Sequence, residues 1–442
     1  MNREMKDSGS QWIQDIPNKW NNERLKYTIT ARDGGAWGEE PTKDNPGVIC
    51  MRIADFNYDD GVFQDKPQEQ LTKRLYTNNQ INRLMLMQND ICIEKSGGGE
   101  KTPVGRTVIF DKAYPALFAN FMERLRFNPN IIIPHFGEYW FRAMYSCKVS
   151  PVYIKQTTGI QNLDVGTMLA VERIYYPSLP EQRQIVHFLD RKCAAIDTAI
   201  EKTKESIEKL EEYKKAVITK AVTKGLDPDA KMKDSGIEWI GEVPEGWEVS
   251  KFKFHTKAKS EKNPGNATIL SLYREYGIVI KDSRDDNHNR TSLDTSSYRY
   301  VEVNDFVVNK MKAWQGSVAV SEYTGVVSPA YYVYKITDAE IYPLYLHYLL
   351  RSCYKDEFRR LSGGIRIGQW DLPSDALENT LIIQPSYTEQ VRITEYIQKH
   401  TTVVEQLIEK KKKAINKWEE YKKSLIYYAV TGKIDCRNEV IE

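Results

Sequence analysis

The chain has 442 residues, of which 41% are hydrophobic and 28% charged, and its 63 basic side chains nearly balance its 61 acidic ones. This length exceeds one ordinary hydrophobic core and predicts two to four domains, while the composition excludes a globally disordered chain. No apolar run approaches the roughly 18–20 residues that span a membrane, and the polar N-terminus lacks the apolar segment of a signal peptide, so we expect a cytoplasmic protein.

The first element is a short N-terminal motif that occurs twice. KDSGSQWIQDIPNKW at residues 6–20 returns as KDSGIEWIGEVPEGW at residues 233–247, a constant offset of 227 residues. A repeated motif at this distance indicates duplication of a large segment. Its tryptophans are expected to pack against the ends of neighbouring helices; they are Trp12, Trp20, Trp239 and Trp247.

Each motif is followed by a long insert, at residues 21–176 and 248–384. Both inserts have the pattern of a mixed α/β domain, in which short β-rich runs alternate with turn clusters and helical stretches. The runs at 90–95 and 305–310 align with each other, and 342–352 is a predicted helix in the second insert. Apart from such faint matches, the two inserts have diverged.

A second repeated element follows each insert. PSLPEQRQIVHFLD at 177–190 matches PSYTEQVRITEYIQ at 385–398, and the match ends with EEYKKAVITKAVT at 211–223 against EEYKKSLIYYAVT at 419–431, at an offset of 208 residues. Apolar residues recur in alternating steps of three and four, which predicts a long helix with a heptad seam in each copy. The offset falls by 227 − 208 = 19 residues between the two landmarks, so the divergent middle is shorter in the second copy.

Polar residues interrupt both seams at matching places, Thr203 with Lys411 and Lys214 with Lys422, and the second seam includes Trp418. Such interruptions fix helix register at some cost in stability. About forty residues at 1.5 Å each give a rod of roughly 60 Å. Two tandem copies related by an internal two-fold axis would pair these rods as an antiparallel coiled coil.

The predicted fold class is therefore α/β (α+β): two mixed α/β domains, two long helices that form an antiparallel coiled coil, and an internal pseudo-two-fold repeat. A duplicated scaffold that holds two differently specialised domains explains why the ends repeat while the middles diverge. The predicted segments are the first α/β domain (1–178), the first long helix (179–225), the second α/β domain (226–384), the second long helix (385–432) and a tail (433–442).

The sequence contains none of the following motifs of catalysis and cofactor binding. The six cysteines contain no CxxC pair and the six histidines no HExxH spacing, so we expect free thiols and no metal site. No GxGxxG motif and no Pro-Pro pair is present, although S-adenosylmethionine binding and amino-methyl transfer need such loops. The tract SGGGEKT at 96–102 lacks the GK[ST] tripeptide of a phosphate loop. We expect a protein that is not an enzyme.

The duplicated order of variable domain, long helix, variable domain and long helix resembles the specificity subunits of type I restriction-modification enzymes. Individual phrases also resemble that family. They are the two tryptophan motifs, NDFVVNKMKAWQGS (304–317), VVSPAYYVYKI (326–336), GGIRIGQWDL (363–372) with TTGIQNLDV (157–165) as its first-copy counterpart, and P-x-x-x-EQ before each helix. The resemblance extends from about residue 6 to 431.

The resemblance implies a division of labour. Each α/β domain would be a target recognition domain that reads one half of a bipartite site in double-stranded DNA. The helices would set the spacer between the halves and dock two methyltransferase (modification) subunits, with restriction and motor subunits joining the assembly. S-adenosylmethionine, ATP and Mg would be bound by these partners, and this chain would hold no cofactor.

The formal net charge of +2 is small for a protein that binds DNA alone, so a partner is expected to supply part of the affinity. Two alternatives remain open: an orphan specificity subunit that directs methylation without cleavage, and a coiled-coil scaffold whose heads bind protein rather than DNA. A self-sufficient modifying enzyme is disfavoured, because it would need a catalytic motif.

Candidate DNA contacts were chosen for side chains that bind base edges or phosphates. Glycines 97–99 would allow a close approach of the backbone to phosphate. Each position could instead belong to an ordinary flexible hairpin tip, and Trp314 to a packing contact. The candidates in the first insert are Lys95, Ser96, Lys101, Arg106, Thr157, Thr158, Gln161 and Asn162. Those in the second insert are Lys310, Lys312, Trp314, Gln315, Arg366 and Gln369.

Overall fold

The computed structural model describes residues 3–156, 159–274, 277–281, 294–366 and 369–438. The chain forms two compact units: the first comprises Met1–Lys202 with Lys413–Glu442, and the second Thr203–Lys412. This division falls inside both long helices, whereas the domain boundaries proposed at the helix ends remain a prediction. Within the described ranges, every helix is too short or too polar to cross a bilayer.

The first unit is built around a six-stranded sheet. Its strands are β1 (Met5–Asp7), β2 (Asp15–Pro17), β3 (Asn21–Arg24), β4 (Ile29–Gly34), β5 (Val48–Met51), β6 (Phe56–Asn57), β7 (Val62–Phe63), β8 (Lys73–Arg74), β9 (Ile91–Glu94), β10 (Ser96–Gly97), β11 (Thr107–Ile109), β12 (Ala116–Phe118), β13 (Met122–Phe127), β14 (Ile154–Gln156), β15 (Gln161–Leu163) and β16 (Arg173–Tyr176). Its shorter helices are α1 (Leu25–Thr28), α2 (Asn78–Leu84), α3 (Pro134–Ser146) and α4 (Val165–Val171).

The main sheet has the order β4-β13-β9-β11-β7-β6, and only the β11–β7 pair is parallel within it. Successive side chains of β9 enter different cores, because side chains alternate across a strand. Ile91 and Ile93 join the core that includes α3 and the long helices, while Cys92 joins the core formed with β5 and β12. Burial on both faces explains why this strand is an uninterrupted apolar run rather than an alternating one.

The second unit repeats this design, with fewer strands among its described residues. They are β17 (Met232–Asp234), β18 (Glu242–Pro244), β19 (Glu248–Lys251), β20 (Thr256–Lys259), β21 (Leu270–Tyr273), β22 (Gly277–Ile280), β23 (Arg299–Val301), β24 (Phe306–Asn309), β25 (Val318–Val320), β26 (Gly325–Val327), β27 (Tyr331–Ile336), β28 (Gly363–Arg366), β29 (Gln369–Asp371) and β30 (Leu381–Gln384). Its shorter helices are α6 (Pro343–Cys353), α7 (Lys355–Leu361) and α8 (Ser374–Asn379). The two long helices, each divided between the two units, are α5 (Leu179–Lys224) and α9 (Tyr387–Val430).

The internal repeat is visible in the topology. The sheet order β20-β27-β24-β25 reproduces β4-β13-β9-β11, and the pairs β17-β18 and β19-β30 reproduce β1-β2 and β16-β3. The turns before β9 and β24 share an unusual backbone, since Asn89 and Asn304 both have φ of 72°. Asparagine tolerates this left-handed conformation better than most residues. The predicted internal repeat of mixed α/β domains is therefore confirmed.

The long helices run antiparallel within each unit. In the first unit the amino group of Lys422 on α9 lies 2.6 Å from Asp197 on α5. The start of α5 lies beside the residues that follow α9, because the Gln184 side chain donates to the carbonyl of Arg437. In the second unit Lys214 on α5 forms an ion pair with Glu405 on α9. The helical pairing predicted from the heptads is confirmed in both units. One seam residue was assigned wrongly: Trp418 is 40% exposed rather than packed between the helices.

The two seam lysines explain the matching interruptions. Asp197 and Glu405 are separated by 405 − 197 = 208 residues, and so are Lys214 and Lys422. The two interhelical ion pairs are thus related by the repeat, with each helix contributing one lysine and one carboxylate. A polar pair at one seam position specifies which residues face each other, because any shift of register would separate the charges.

The repeated Glu-Gln sequence anchors each helix to its own domain. The Gln182 side chain is fully buried: it accepts from the amide of Ile133 at 2.8 Å and donates to the carbonyls of Ile131 and Pro177. Gln390, also fully buried, makes the equivalent bonds in the second unit. The preceding glutamates accept from the indole N–H groups of the repeated tryptophans, Glu181 from Trp20 and Glu389 from Trp247. The prediction that these two tryptophans pack at helix ends is confirmed.

Candidate nucleic-acid interface

The candidate residues of the first insert converge on one surface, which we call the first loop–hairpin surface. It consists of the loop at residues 95–106, between β9 and β11, and the β14–β15 hairpin. The short strand β10 joins the two parts by pairing Ser96 with Asn162 and Gly97 with Gln161. Two candidates at the hairpin tip, Thr157 and Thr158, lie outside the described residues.

Two of the candidates are buried at the junction of loop and hairpin. Ser96 and Gln161 are 8% and 7% exposed. The Ser96 hydroxyl donates to Asn162 Oδ1 at 2.6 Å, and Gln161 Oε1 accepts from the amide of Val104 at 3.2 Å. These bonds hold the loop against the hairpin, so the geometry favours a supporting role for Ser96 and Gln161. Among the described candidates of the first insert, Lys101 and Asn162 are exposed.

Arg106 lies at the end of the same loop and is committed to a carboxylate. Its guanidinium forms two hydrogen bonds to Glu94, at 2.9 and 3.2 Å, and stacks 3.6 Å from the ring centroid of Tyr58. Burial raises the pKa of the Glu94 carboxyl, although its pairing with Arg106 opposes this shift. A bidentate, stacked arginine is held in one orientation. Arg106 therefore fixes the return of the loop into β11.

A cationic pair borders this surface and includes a residue that the sequence did not single out. Lys95 Nζ lies 3.7 Å from Glu123, which also accepts from Arg32 Nε at 2.6 Å. The Arg32 side chain is 42% exposed, so one carboxylate partly neutralises two cations that still reach solvent. The sequence offered one signal for Arg32: at the offset of 227 residues that relates the two tryptophan motifs, it aligns with another basic residue, Lys259. Lys259 itself is buried between Glu302 and Asp305.

The candidates of the second insert also converge. The second loop–hairpin surface consists of the loop at residues 310–317, between β24 and β25, and the β28–β29 hairpin. Lys310 joins the two parts: its carbonyl accepts from the Leu372 amide at 3.1 Å, and its amino group lies 3.2 Å from Asp371. Arg366 and Gln369 are backbone partners in the register of the β28–β29 pair.

The loop of this second surface is an aromatic turn. The Trp314 indole donates to the carbonyl of Met311 at 3.1 Å, and its ring lies 5.1 Å from that of Trp370 on the hairpin. Gly316 ends the turn with φ of 87°, a conformation that favours glycine. Trp314 and Gln315 are partly buried, whereas Lys312 is exposed. The contact between the two tryptophans supports a packing role for both rings, with Lys312 the accessible cation of the turn.

The two surfaces share a frame and differ in side chains. The amide of Leu163 donates to the carbonyl of Lys95 just as the amide of Leu372 donates to that of Lys310. The predicted correspondence of residues 157–165 with residues 363–372 is thereby confirmed at the level of the backbone. On the shared frame, the Ser96–Asn162 hydrogen bond of the first surface is replaced by the Trp314–Trp370 contact of the second. Such a pair of surfaces can hold two different ligands in similar geometry.

No cluster of three or more potential metal ligands occurs among the residues that the structure describes.

Comparisons with known proteins extend over most of the chain. A family model for the type I restriction modification DNA specificity domain matches residues 5–212. A protein of Methanocaldococcus jannaschii, described as the MjaX specificity subunit of a type I restriction enzyme, is 24% identical over 96% of this chain and 95% of its own length. The MjaVIII specificity subunit of the same organism is 26% identical over 66% of this chain and 70% of its own length.

Two solved structures share the fold. A chain from a study of complex assembly and conformational transition in a type I R-M system superposes with a TM-score of 0.65, at 13% identity, over 95% of this chain and 99% of the other. The HsdS subunit of Thermoanaerobacter tengcongensis gives a TM-score of 0.52, at 14% identity, over 95% of this chain and 98% of the other. At this level of identity, these likenesses concern the fold alone.

Proposed function

Because the chain belongs to the family of type I restriction-modification specificity subunits, we propose that its two loop–hairpin surfaces each read one half of a bipartite DNA site. The observation that carries this proposal is the pairing of one repeated backbone frame with two different sets of side chains. A duplicated frame meets the two half-sites in equivalent ways, while its divergent side chains select different bases. Two identical surfaces would select a symmetric site.

The hairpins have the shape that groove reading requires. A two-stranded ribbon fits the major groove, where each base pair presents a distinct pattern of donors and acceptors. On the first surface the exposed amide of Asn162 can form two hydrogen bonds to adenine, the pairing that asparagine makes best. Lys101 and Lys312, both exposed, are placed as phosphate contacts that set orientation without selecting bases. The fourteen residues first selected from the sequence remain candidates in this scheme, and Arg32 is added to them.

The long helices act in this proposal as spacer and as docking site. An antiparallel pair locked by two ion pairs resists sliding, and a fixed separation of readers fixes the number of unread base pairs. Two methyltransferase subunits bind the helical region, and S-adenosylmethionine, ATP and Mg are bound by the partner subunits. The chain itself performs no chemistry and works in the cytoplasm, where its DNA and partners are found.

The charge of the chain supports a shared DNA interface. The formal net charge is only +2, and on the two loop–hairpin surfaces Arg106, Lys95 and Lys310 each pair with a carboxylate. Cations that are already paired contribute less to counterion release. We therefore propose that tight binding requires the methyltransferase subunits, whose own basic surface completes the grip on the duplex.

Mapping of methylated bases in the host genome, with and without this gene, tests the proposal. Deletion is expected to abolish methylation at one bipartite motif and to leave other motifs unchanged. A salt titration of DNA binding by the reconstituted complex accompanies it, because a protein-binding scaffold would add no salt-dependent affinity. An unchanged set of methylated motifs would refute the proposed function.

A further inference from the structure

A buried polar junction connects the first α/β domain to the helix pair. We call it the first junction and define it by the Asp59 carbonyl, Arg142 on α3, Asp197 on α5 and Lys422 on α9. The Lys422 amino group donates to both carboxylate oxygens of Asp197, at 2.7 and 2.6 Å, and to the Asp59 carbonyl at 2.7 Å. The Arg142 guanidinium donates to the same carbonyl at 2.8 Å. One backbone oxygen thus receives two cationic donors.

The two cations of the first junction are mostly buried, so they depend on acceptors within the protein. The Lys422 side chain is 9% exposed, and that of Arg142 is 15% exposed. A buried ammonium group must be matched by acceptors, because water cannot solvate it there. Lys422 therefore has to keep the Asp59 carbonyl and the Asp197 carboxylate together. The interhelical ion pair is in this way also a clamp on a loop of the α/β domain.

The clamped loop leads directly to the first loop–hairpin surface. Asp59 lies in the turn between β6 and β7, and Gly61 in the same turn has φ of 72°. A side chain there would collide with Glu138, whose carboxylate would lie 2.6 Å from the added Cβ. The Gly61 carbonyl accepts from the amide of Ile109 at 2.8 Å, and Ile109 lies on β11, whose opposite end continues the loop at residues 95–106. Two hydrogen bonds and the short chain segments between them thus join Lys422 to the reading surface.

In the described part of the second unit, the counterpart residues are present without the clamp. Arg351 on α6 donates to the Arg274 carbonyl before Gly277, as Arg142 does in the first unit. Position 138 is taken by His347, which is buried and accepts from the Val320 amide at 3.1 Å. The counterpart of Lys422 is Lys214. Its side chain is 31% exposed, and within the described part of the chain its amino group pairs with Glu405 and with no loop carbonyl.

We propose that Lys422 is a positioning residue for DNA reading, which fixes the first α/β domain on the helix pair, whereas the described residues of the second unit include no equivalent lysine clamp. The inference rests on the proposed function for its consequence in DNA specificity. It goes beyond that function by making the two readers mechanically unequal. The helices set the length of the spacer, and Lys422 determines how strictly the first domain keeps to that length.

The test compares Lys422→Met with the matched control Lys214→Met in the complete methyltransferase complex. Methylation rates are measured on DNA with the cognate spacer and with spacers one base pair shorter or longer. Lys422→Met is expected to lower the preference for the cognate spacer about tenfold, since small displacements of a positioned group have effects of this size. Lys214→Met removes the other interhelical ion pair but, among the described residues, no contact to a domain loop, so it should lower the preference much less than Lys422→Met does. Lys422→Arg, which retains donors for both partners, should keep the preference of the original chain.

Amide hydrogen exchange in residues 57–63 provides a readout that does not depend on methylation. Lys422→Met should accelerate exchange there, and Asp197→Asn, which retains an acceptor but removes the charge, should do so to a smaller extent. Equal loss of activity on all spacers, with exchange at 57–63 unchanged, would overturn the inference. A chain that directs no methylation at any bipartite site would refute the proposed function instead, and the exchange measurement would still decide whether Lys422 clamps the loop.

Discussion

Replacement of Gln182 by leucine tests how the α/β domain of the first unit is attached to its long helix. The side chain is fully buried, and its loss removes hydrogen bonds to the Ile133 amide and to the carbonyls of Ile131 and Pro177. An unsatisfied buried polar group costs about 1–3 kcal/mol. With one amide and two carbonyls affected, and partial relaxation of the carbonyls, we expect Gln182→Leu to destabilise the first unit by roughly 3–5 kcal/mol.

The assay is urea unfolding of the complete chain, combined with amide exchange in residues 128–134 to assign the loss to the first unit. Gln390→Leu should destabilise the second unit by a similar amount, because it removes the equivalent three bonds. The control is Gln184→Leu. The Gln184 side chain makes one exposed hydrogen bond, to the Arg437 carbonyl, so its replacement should lower the free energy of unfolding by less than about 1 kcal/mol. Equal effects of the Gln182 and Gln184 substitutions would refute the reasoning.

Three further predictions concern the spacer, the pH dependence and the charge of the reading surfaces. A heptad inserted after Thr203, with a matching heptad after Lys411, should lengthen the unread spacer and preserve both half-sites in methylation mapping. Burial raises the pKa of Glu138 to about 8 from an ordinary 4.5, so between these pH values the folded state keeps a proton that the unfolded chain loses. The free energy of unfolding should therefore fall as pH rises through this range. In denaturation experiments, Glu138→Gln should avoid this fall and become more stable than the original chain by a few kcal/mol at the upper end of the range. Lys101→Gln and Lys312→Gln should each reduce the salt-dependence slope of DNA binding by about 1 without changing the recognised sequence.

Much of the architecture was predictable because it depends on repetition and periodicity. The repeated tryptophan motif and the paired heptads predicted two domains and two long helices, and both are confirmed. The error at Trp418 has a simple cause: a heptad continues along a helix regardless of whether a partner is close enough to cover each position. The division of the chain into units inside the helices was also out of reach, because it depends on contacts between residues about two hundred positions apart.

The candidate surfaces were predictable as clusters and less so as individual contacts. The sequence located the loop and the hairpin of each insert, and the structure brings them together. It did not indicate that Ser96 and Gln161 would be buried or that Arg106 would stack on Tyr58, because such pairings arise only from tertiary packing. The junction lysine was noted only as an interruption of the seam. Its second contact, to the Asp59 carbonyl, depends on a loop that carries no sequence signature.

The central claim is that two independent readers are held on one pair of helices. It is tested most directly by replacing residues 21–176 with the corresponding insert of a relative and mapping methylated bases across the genome. We expect one half of the bipartite motif to change, while the other half is retained. A change in both halves would contradict the account, because it would show that the two domains do not read DNA separately.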